Sequence, residues 1–503
     1  MEAGILGDVP SRTAFAMENA GQAIGVAILN DYQEIQNWPE FPELLVLAGK
    51  GLNAGDAFIA CSLLREVIPG ISVTVVMTEA EDQLNPIAGA ALKSLVDVME
   101  DDLQLLTVEA YLETEPTPYD IVLDGLYGHG FRPPLGESAS ELLQHVNSRT
   151  DILLRVAIDL PSGLGEEVDE NCFVADITYV PGVAKTPCFE QANGDKVGRV
   201  RFLEIDPFLD QPADEQQKEF IVSPNAHKSL NQLRPAHSDK RDYGHCLILA
   251  GSSQMPGAAL MSSMAALQAG AGLVTTLTPS TVATQNAGTV PEAMWRPLPL
   301  TPDGGLDVET VRIVSVAAKK ANAMLIGPGL VLDRTTVFAL CRIIRETSLP
   351  IVLDASALTQ DVVAAVIGRP LTSGPVILTP HLGEYFRIVG GKKDHVSATE
   401  LMQFSQKHRA ITVLKGTPTR ISDGKRHLIA PVGGPVLSRG GAGDILSGMM
   451  VALLAQQPDD PMSAAIQAVT WHGASADLLA QESGAVAVRT TEMLPYLSSA
   501  LRA

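Results

Sequence analysis

LLVLAGKGLNAGDAFIACSLL, residues Leu44 to Leu64, contains the architecture in miniature. LLVLA is an unbroken apolar run of the kind that forms a strand covered on both faces. Gly49, Gly51 and Gly55 then turn the chain into a helix-like stretch ending in SLL. Strand, glycine turn and helix make one half of a βαβ unit. The alternation continues through ISVTVVM, IVLDG and LLRVAIDLPSG to RVRFLEI. It restarts further on as CLILAGS, a small-residue helix from Gly257 to Gly270, LVTTLTP, AMLIGPG, IVLDASAL, VILTPH and ITVLKGT. Between the two series lies PFLDQPADEQQKEFIVSPNA, polar, acidic and punctuated by proline. The reading is two α/β domains, 1–206 and 227–503, joined by a linker at 207–226.

Composition agrees with this and narrows the function. A chain of 503 residues is too long for one core. Apolar residues at 46%, charged residues at 19% and 43 glycines suit compact α/β domains with tight turns. A net charge of -22 argues against nucleic acid or an anionic membrane surface as partner, so an anionic ligand must be held locally. Five scattered cysteines, Cys61, Cys172, Cys188, Cys246 and Cys341, form no zinc or disulfide pattern. The N-terminus lacks the basic and apolar regions of a signal peptide, and Ala258 to Leu277 is too interrupted to span a bilayer. These features lead to an expected cytoplasmic location.

Three strand ends in the first series carry chemistry. The Gly49–Gly55 loop, with Asn53 and Asp56, can bring backbone amides and a helix N-terminus close to an anion, although glycine also serves plain tight turns. Asp124 ends IVLDG and Asp159 ends VAIDLPSG, with Ser162 and Gly163 following. An aspartate after a strand often merely caps the next helix. Several at the carboxyl ends of neighbouring parallel strands share one crevice.

Those motifs resemble the NAD(P)H-hydrate epimerases. GKGLNAGDA is similar to their G-P-G-N-N-G-G-D-G loop, VLDGLYGHG to V-D-A-L-F-G-T-G, and AIDLPSG to I-D-I-P-S-G, while MENAG at Met17–Gly21 matches M-E-x-A-G. The resemblance implies a Rossmann-like three-layer α/β/α domain. It also implies a potassium ion on Asn53, Asp124 and Ser162. Substrate contacts would come from Leu52, Asn53, Ala54, Gly55 and Asp56, and from Gly128, His129, Gly130, Phe131, Arg132, Pro133 and Pro134, with Asp159 as acid/base. Leu52, Ala54, Ala57 and His129 depart from the family pattern, which leaves open a catalytically silent nucleotide-binding or oligomerisation module.

The second series holds the strongest motif, SRGGAGDILSGMMVALLAQ, Ser438 to Gln456. Gly440, Gly441, Ala442 and Gly443 lead into a helix whose first polar side chain is Asp444. Exposed amides there can stabilise charge on a phosphoryl group while the aspartate takes a hydroxyl proton. A helix-packing turn with an aspartate cap is the plainer alternative. Lys415 and Gly416 end one strand, and His381, Gly383 and Glu384 follow another.

Together these resemble the ribokinase-like superfamily and, within it, the ADP/ATP-dependent NAD(P)H-hydrate dehydratases. RDYGHCLILAGSSQMPGAA, IGPGL, Asp354–Leu358, Thr379–Glu384, Leu414–Gly416 and Gly440–Asp444 match the family's motifs in order, with Ser356 and Ala442 as departures. By that match Ala259, Gly329, His381 and Asp444 contact the hydrated nucleotide. Lys415, Gly416, Thr417, Pro418, Thr419 and Gly443 hold the adenine nucleotide, and Gly441, Ala442 and Gly443 form an anion hole. Catalysis falls to Asp444, with ADP as co-substrate, magnesium as cofactor and AMP and phosphate as products. The implied whole is a bifunctional homo-oligomeric enzyme acting on hydrated NADH and NADPH. A ribokinase-like kinase of a stable alcohol is the rival. Joining an epimerase to an enzyme that consumes one epimer favours the repair reading.

Overall fold

The computed structural model describes residues 9–165, 167–206, 208, 217–391, 393 and 395–502. The first eight residues, part of the stretch judged not to be a signal peptide, lie outside it, as do 207 and 209–216 of the expected linker. The chain forms two compact units, Met1–Asp214 and Glu215–Ala503.

The first unit is built on a seven-stranded parallel sheet. Its strands are β1 (Glu43–Ala48), β2 (Ser72–Met77), β3 (Leu103–Thr107), β4 (Tyr119–Gly125), β5 (Ile152–Ile158), β6 (Ile177–Pro181) and β7 (Arg199–Leu203). They lie in the order β3-β2-β1-β4-β5-β6-β7. From β1 the chain winds one way to β3, and from β4 the other way to β7. The crevice therefore opens between β1 and β4, at the carboxyl ends where open α/β sheets bind ligands. Helix α1 (Pro10–Gln33) lies against α2 (Leu52–Val67) through its glycines. A Cβ on Gly21 would stand 2.5 Å from the Ile59 Cβ, and one on Gly55 2.4 Å from the Met17 sulfur. The MENAG and GKGLNAGDA motifs are thus two sides of one helix contact.

The second unit carries ten strands in the order β11-β10-β9-β12-β13-β14-β15-β16-β17-β8. They are β8 (Glu219–Ile221), β9 (His245–Leu249), β10 (Leu273–Pro279), β11 (Met294–Leu298), β12 (Ala323–Ile326), β13 (Ile351–Leu353), β14 (Val376–Leu378), β15 (Ile411–Leu414), β16 (Thr419–Ser422) and β17 (His427–Ala430). Pairing is parallel from β11 to β15, then antiparallel through β16 and β17. The expectation of a linker over 207–226 needs amendment, because β8 lies inside it and pairs with β17 as the sheet's edge. Its EFI run is short and flanked by charge and proline, so sequence pattern alone gives it little weight as a strand.

Helices α3 (Pro256–Gln268) and α4 (Ala442–Gln456) pack closely beneath this sheet. A Cβ on Gly448 would lie 2.3 Å from the Ser262 carbonyl oxygen and 2.9 Å from the Ala265 Cβ. Alanine favours a helix interior over glycine by about 1 kcal/mol, but overpacking a tight core costs ~1–3 kcal/mol, and here the obstacle is backbone. Gly448→Ala is therefore expected to lower stability by ~1–2 kcal/mol in urea unfolding, despite its better helix propensity.

Candidate functional site

In the first unit, the three strand-end motifs converge on one cavity of about 640 Å³. Asp124 at the end of β4 is fully buried. Its carboxylate accepts from the Ser162 amide at 2.7 Å, the Ser162 hydroxyl at 2.6 Å and the Leu126 amide at 3.3 Å. Burial pushes its pKa up to about 6 against these donors. Asn53 donates its side-chain amide to the Ile158 carbonyl at 3.3 Å. Its Oδ1 faces Gly128, where an added Cβ would lie 3.3 Å from it and 2.9 Å from the Asp159 Oδ2. Gly128 is thus the surface over which Asn53 and Asp159 approach one another.

Asp159 follows β5 with φ +66°, a left-handed conformation that an aspartate adopts only when its surroundings hold it there. Its Oδ2 accepts from the His129 amide at 2.8 Å. Its Oδ1 lies 2.7 Å from the Nζ of Lys185, a buried lysine that the sequence reading did not single out. Lys185 sits in an unremarked VAKTPC stretch, and only a search for a buried cation to balance Asp159 would have found it.

Of the expected substrate contacts, Leu52, Asn53, Asp56, Gly128, His129, Gly130, Phe131, Arg132, Pro134 and Asp159 line the cavity. Ala54, Gly55 and Pro133 are not among the lining residues. Ala54 and Ala57 are fully buried in the core. These two departures from the family loop are therefore part of the core packing of α2. Thr13 and Met17 of α1, with Lys50 and Tyr127, complete much of the wall.

In the second unit the motifs meet at the N-terminus of α4. Gly441 takes φ +93° before the first turn, and an added Cβ would lie 2.5 Å from the Met261 sulfur. The loop is held from outside by the Thr490 hydroxyl on the Gly440 carbonyl at 2.9 Å. Arg439 reaches from the same loop to the carbonyls of Ala485 and Val486. The Ala442 amide donates to the Arg439 carbonyl at 3.3 Å. That bond occupies one of the three amides expected in the anion hole and leaves Gly441 and Gly443 as the better placed.

Lys415, at the end of β15, lies 2.8 Å from the Asp354 Oδ1 and 3.9 Å from the Glu384 Oε2. A Cβ on Gly443 would stand 3.2 Å from its Nζ. Burial works against the lysine's charge, but the Asp354 and Glu384 carboxylates prevail and hold its pKa above the ordinary range. Asp354 is buried and also accepts from the Thr379 hydroxyl at 2.7 Å. Asp444 feels burial first and the Asp354 carboxylate second, which together outweigh Lys415 and raise its pKa to about 6. Behind the loop His472 contacts the Ala442 backbone, and burial lowers its pKa to about 4, so it is neutral at physiological pH.

The remaining expected residues are placed as follows. His381 caps a short helix, Leu382–Val389, by accepting from the Gly383 and Glu384 amides at 3.0 and 3.4 Å, and its ring is exposed. Ala259 is buried on α3, and Gly329 has φ +65° beside Ala258 and Met255. Gly416 to Pro418 lie in the turn between β15 and β16, with a cis Thr417–Pro418 bond, and Thr419 opens β16. Asp354, Thr379 and Glu384 belong to motifs recognised in the sequence, but their grip on Lys415 needed the fold.

Comparison with known proteins agrees in both units. Residues 246–498 match the family model described as NAD(P)H-hydrate dehydratase, and 13–186 match that of the YjeF-related protein N-terminus. The chain is 30% identical over 501 residues to the bifunctional NAD(P)H-hydrate repair enzyme of Gloeobacter violaceus, covering 96% of this chain and 93% of that one. It is 29% identical to the enzyme of the same name from Escherichia coli K12, covering 96% and 88% respectively. Among solved structures it is similar to the ADP/ATP-dependent NAD(P)H-hydrate dehydratase of Bacillus subtilis co-crystallised with ATP and magnesium. That similarity is 30% identity with a TM-score of 0.48, over 57% of this chain and 99% of the other.

Removing Lys415 would leave Asp354 as an unpaired carboxylate in the interior, a change that typically costs about 3–5 kcal/mol. Lys415→Met is expected to lower unfolding stability by that order, and Asp354→Asn in the same chain to restore part of it, as read from a urea double-mutant cycle.

Proposed function

The chain belongs to the family of bifunctional NAD(P)H-hydrate repair enzymes, and from that membership we propose how its two sites divide the work. The first unit interconverts the R and S forms of hydrated NADH or NADPH. The second dehydrates the S form at the expense of ADP, releasing AMP and phosphate. The observation that carries this reading is the Asp444 carboxylate, partly exposed at the head of α4, beside amides and a lysine suited to a phosphoryl group.

In the dehydratase, Asp444 accepts the proton of the ring hydroxyl as that oxygen attacks the ADP β-phosphorus and AMP leaves. The Gly441 and Gly443 amides, with Lys415, face the charge that develops on the phosphoryl oxygens. Phosphate then departs with the carbon–oxygen bonding pair, pushed by the ring nitrogen, and loss of a ring proton restores the dihydropyridine. Lys415 to Thr419 supply the adenine-nucleotide side, and Ala259, Gly329 and His381 the hydrated nucleotide side. Among the described residues no group of three or more His, Cys, Asp or Glu could hold a metal ion. Magnesium, when bound with the nucleotide, would neutralise charge on its phosphates. A stable-alcohol kinase, the rival reading of the same superfamily, is set aside by the family membership.

In the epimerase, Asp159 is the acid/base on the cavity wall, and the cavity residues named above take the dinucleotide. Potassium is supported by the donor set. Asn53 Oδ1, Asp124 and the Ser162 hydroxyl are oxygen donors of the type a hard cation takes, and the fully buried Asp124 has an anionic charge to neutralise. Potassium chloride is accordingly expected to raise the melting temperature of the wild type above that in choline chloride of equal ionic strength. Asp124→Asn should erase the difference.

Homo-oligomerisation is retained from the resemblance, for sedimentation to test. Five free cysteines, four of them buried, support the expected cytoplasmic location. Among the described residues no helix is long and apolar enough to cross a membrane.

The deciding experiment gives the full-length protein a mixed-epimer hydrate of NADH with ADP and magnesium, following 340 nm absorbance and AMP. The wild type should convert both epimers. Asp444→Asn should lose ~10²–10⁴-fold in dehydration. Asp159→Asn should consume the S form alone, and unimpaired conversion of the R form would favour the silent module. Because Asp444 must be ionised to accept a proton, kcat/KM for dehydration should fall as pH drops through about 6 and level off above it.

A further inference from the structure

Asp159 is held at every polar atom it owns. Its amide donates to the Tyr179 carbonyl at 2.8 Å, and its own carbonyl accepts from the Cys188 thiol at 3.5 Å. Its Oδ2 takes the His129 amide at 2.8 Å, and its Oδ1 lies 2.7 Å from the Lys185 Nζ. Of these four partners, Lys185 alone carries a charge. It comes from the segment after β6, donates at 2.7 Å to the Val183 carbonyl, and keeps its side chain only 3% exposed. Asp159 lines the cavity, whereas Lys185 is not among the lining residues. The ammonium therefore stands behind the carboxylate, on the side away from the ligand.

A buried lysine has a large desolvation cost and is retained only where a partner offsets it. Here the partner is the residue to which the acid/base role falls, in a left-handed backbone conformation. Strain of that kind persists where the surroundings over-determine the residue, and the segment from Gly182 to Cys188 contributes two of the holding contacts, one to the carboxylate and one to the backbone. A carboxylate oxygen pinned on one side by an ammonium cannot rotate away, so the remaining lone pairs are presented to the cavity in one orientation. Proton transfer depends on such orientation, since displacing a catalytic group by about 1 Å can cost ~10²-fold.

We propose that Lys185 is the positioning residue of the epimerase site, fixing the Asp159 carboxylate against the ring hydroxyl of the hydrated nucleotide from behind the cavity wall. This rests on the reading of Asp159 as the acid/base, and the test separates the two. Lys185 does not touch the substrate, so its loss should act on turnover and not on binding.

The experiment compares Lys185→Met, Lys185→Arg, Asp159→Asn and the Lys185→Met/Asp159→Asn double variant of the full-length protein. R-to-S epimerisation of hydrated NADH is measured, with dehydration of the S form as the internal check on the second unit and thermal unfolding as the check that the first unit is folded. Lys185→Met should lower epimerase kcat by about 10²-fold with KM changed less than about 3-fold. Lys185→Arg, which keeps the charge, should recover part of that loss. In the Asp159→Asn background Lys185→Met should have no further effect, because both act through one carboxylate. Equal, multiplicative losses in the two backgrounds would overturn the proposal, as would a change confined to KM or full activity in Lys185→Met. Should Lys185→Met melt the first unit, the arginine variant decides: restored fold with restored kcat supports positioning by charge, and restored fold with kcat still lost overturns it. Asp159→Asn with undiminished epimerisation would instead sink the acid/base reading itself.

Discussion

A carboxylate at the end of a buried parallel strand has to be compensated, and both units are organised around how that is done. In the first, Lys185 reaches Asp159 at 2.7 Å, and in the second, Lys415 reaches Asp354 at 2.8 Å. Each lysine comes from a later segment of its sheet and meets an aspartate just past the end of an earlier strand. Parallel strands oblige this arrangement, because every carboxyl end faces the same side of the sheet and the chain returns there after each crossover. The ion pair ties the ends of two strands together, adjacent ones in the first unit and β13 to β15 across β14 in the second.

The two sites use the compensation differently. Asp159 lines the cavity and Lys185 does not, so the lysine sits behind the carboxylate and leaves the cavity face clear. In the second unit Asp444 carries the acid/base role proposed above, and Asp354 holds Lys415 near the loop of Gly441 and Gly443. The Asp354 carboxylate also raises the pKa of Asp444, after burial, so one residue steadies a cation and shifts a neighbouring carboxyl at once. Asp124 has Ser162 and backbone amides in place of a lysine.

How far the sequence carried this reading follows from where each signal sits. Strands such as LLVLA and CLIL are apolar on both faces, and their glycine turns mark the returns, so the fold class and most strands in both sheets were legible. MWRPL at β11 and EFI at β8 were not, because edge strands are short, polar-flanked and free to carry proline. The cavity-lining stretches within glycine-rich motifs were legible because close approach of backbone at strand ends demands small residues in order. Lys185 was not, since a single lysine in a loop is usually solvated and only the fold shows it buried. Ala54 and Ala57 looked like losses from a ligand loop until α2 placed them in the core.

The edge strand β8 sets where the second unit begins as a physical object. Residues 219–221 satisfy the outer N–H and C=O groups of β17, so the unit's sheet is finished by chain that precedes its first recognisable motif. A fragment cut at residue 227 would carry both the dehydratase motifs and a bare strand edge, and such edges recruit strands from other molecules. Self-association of that fragment would then report the cut and not the natural assembly. Dissecting the two activities into separate proteins calls for a cut upstream of Glu219.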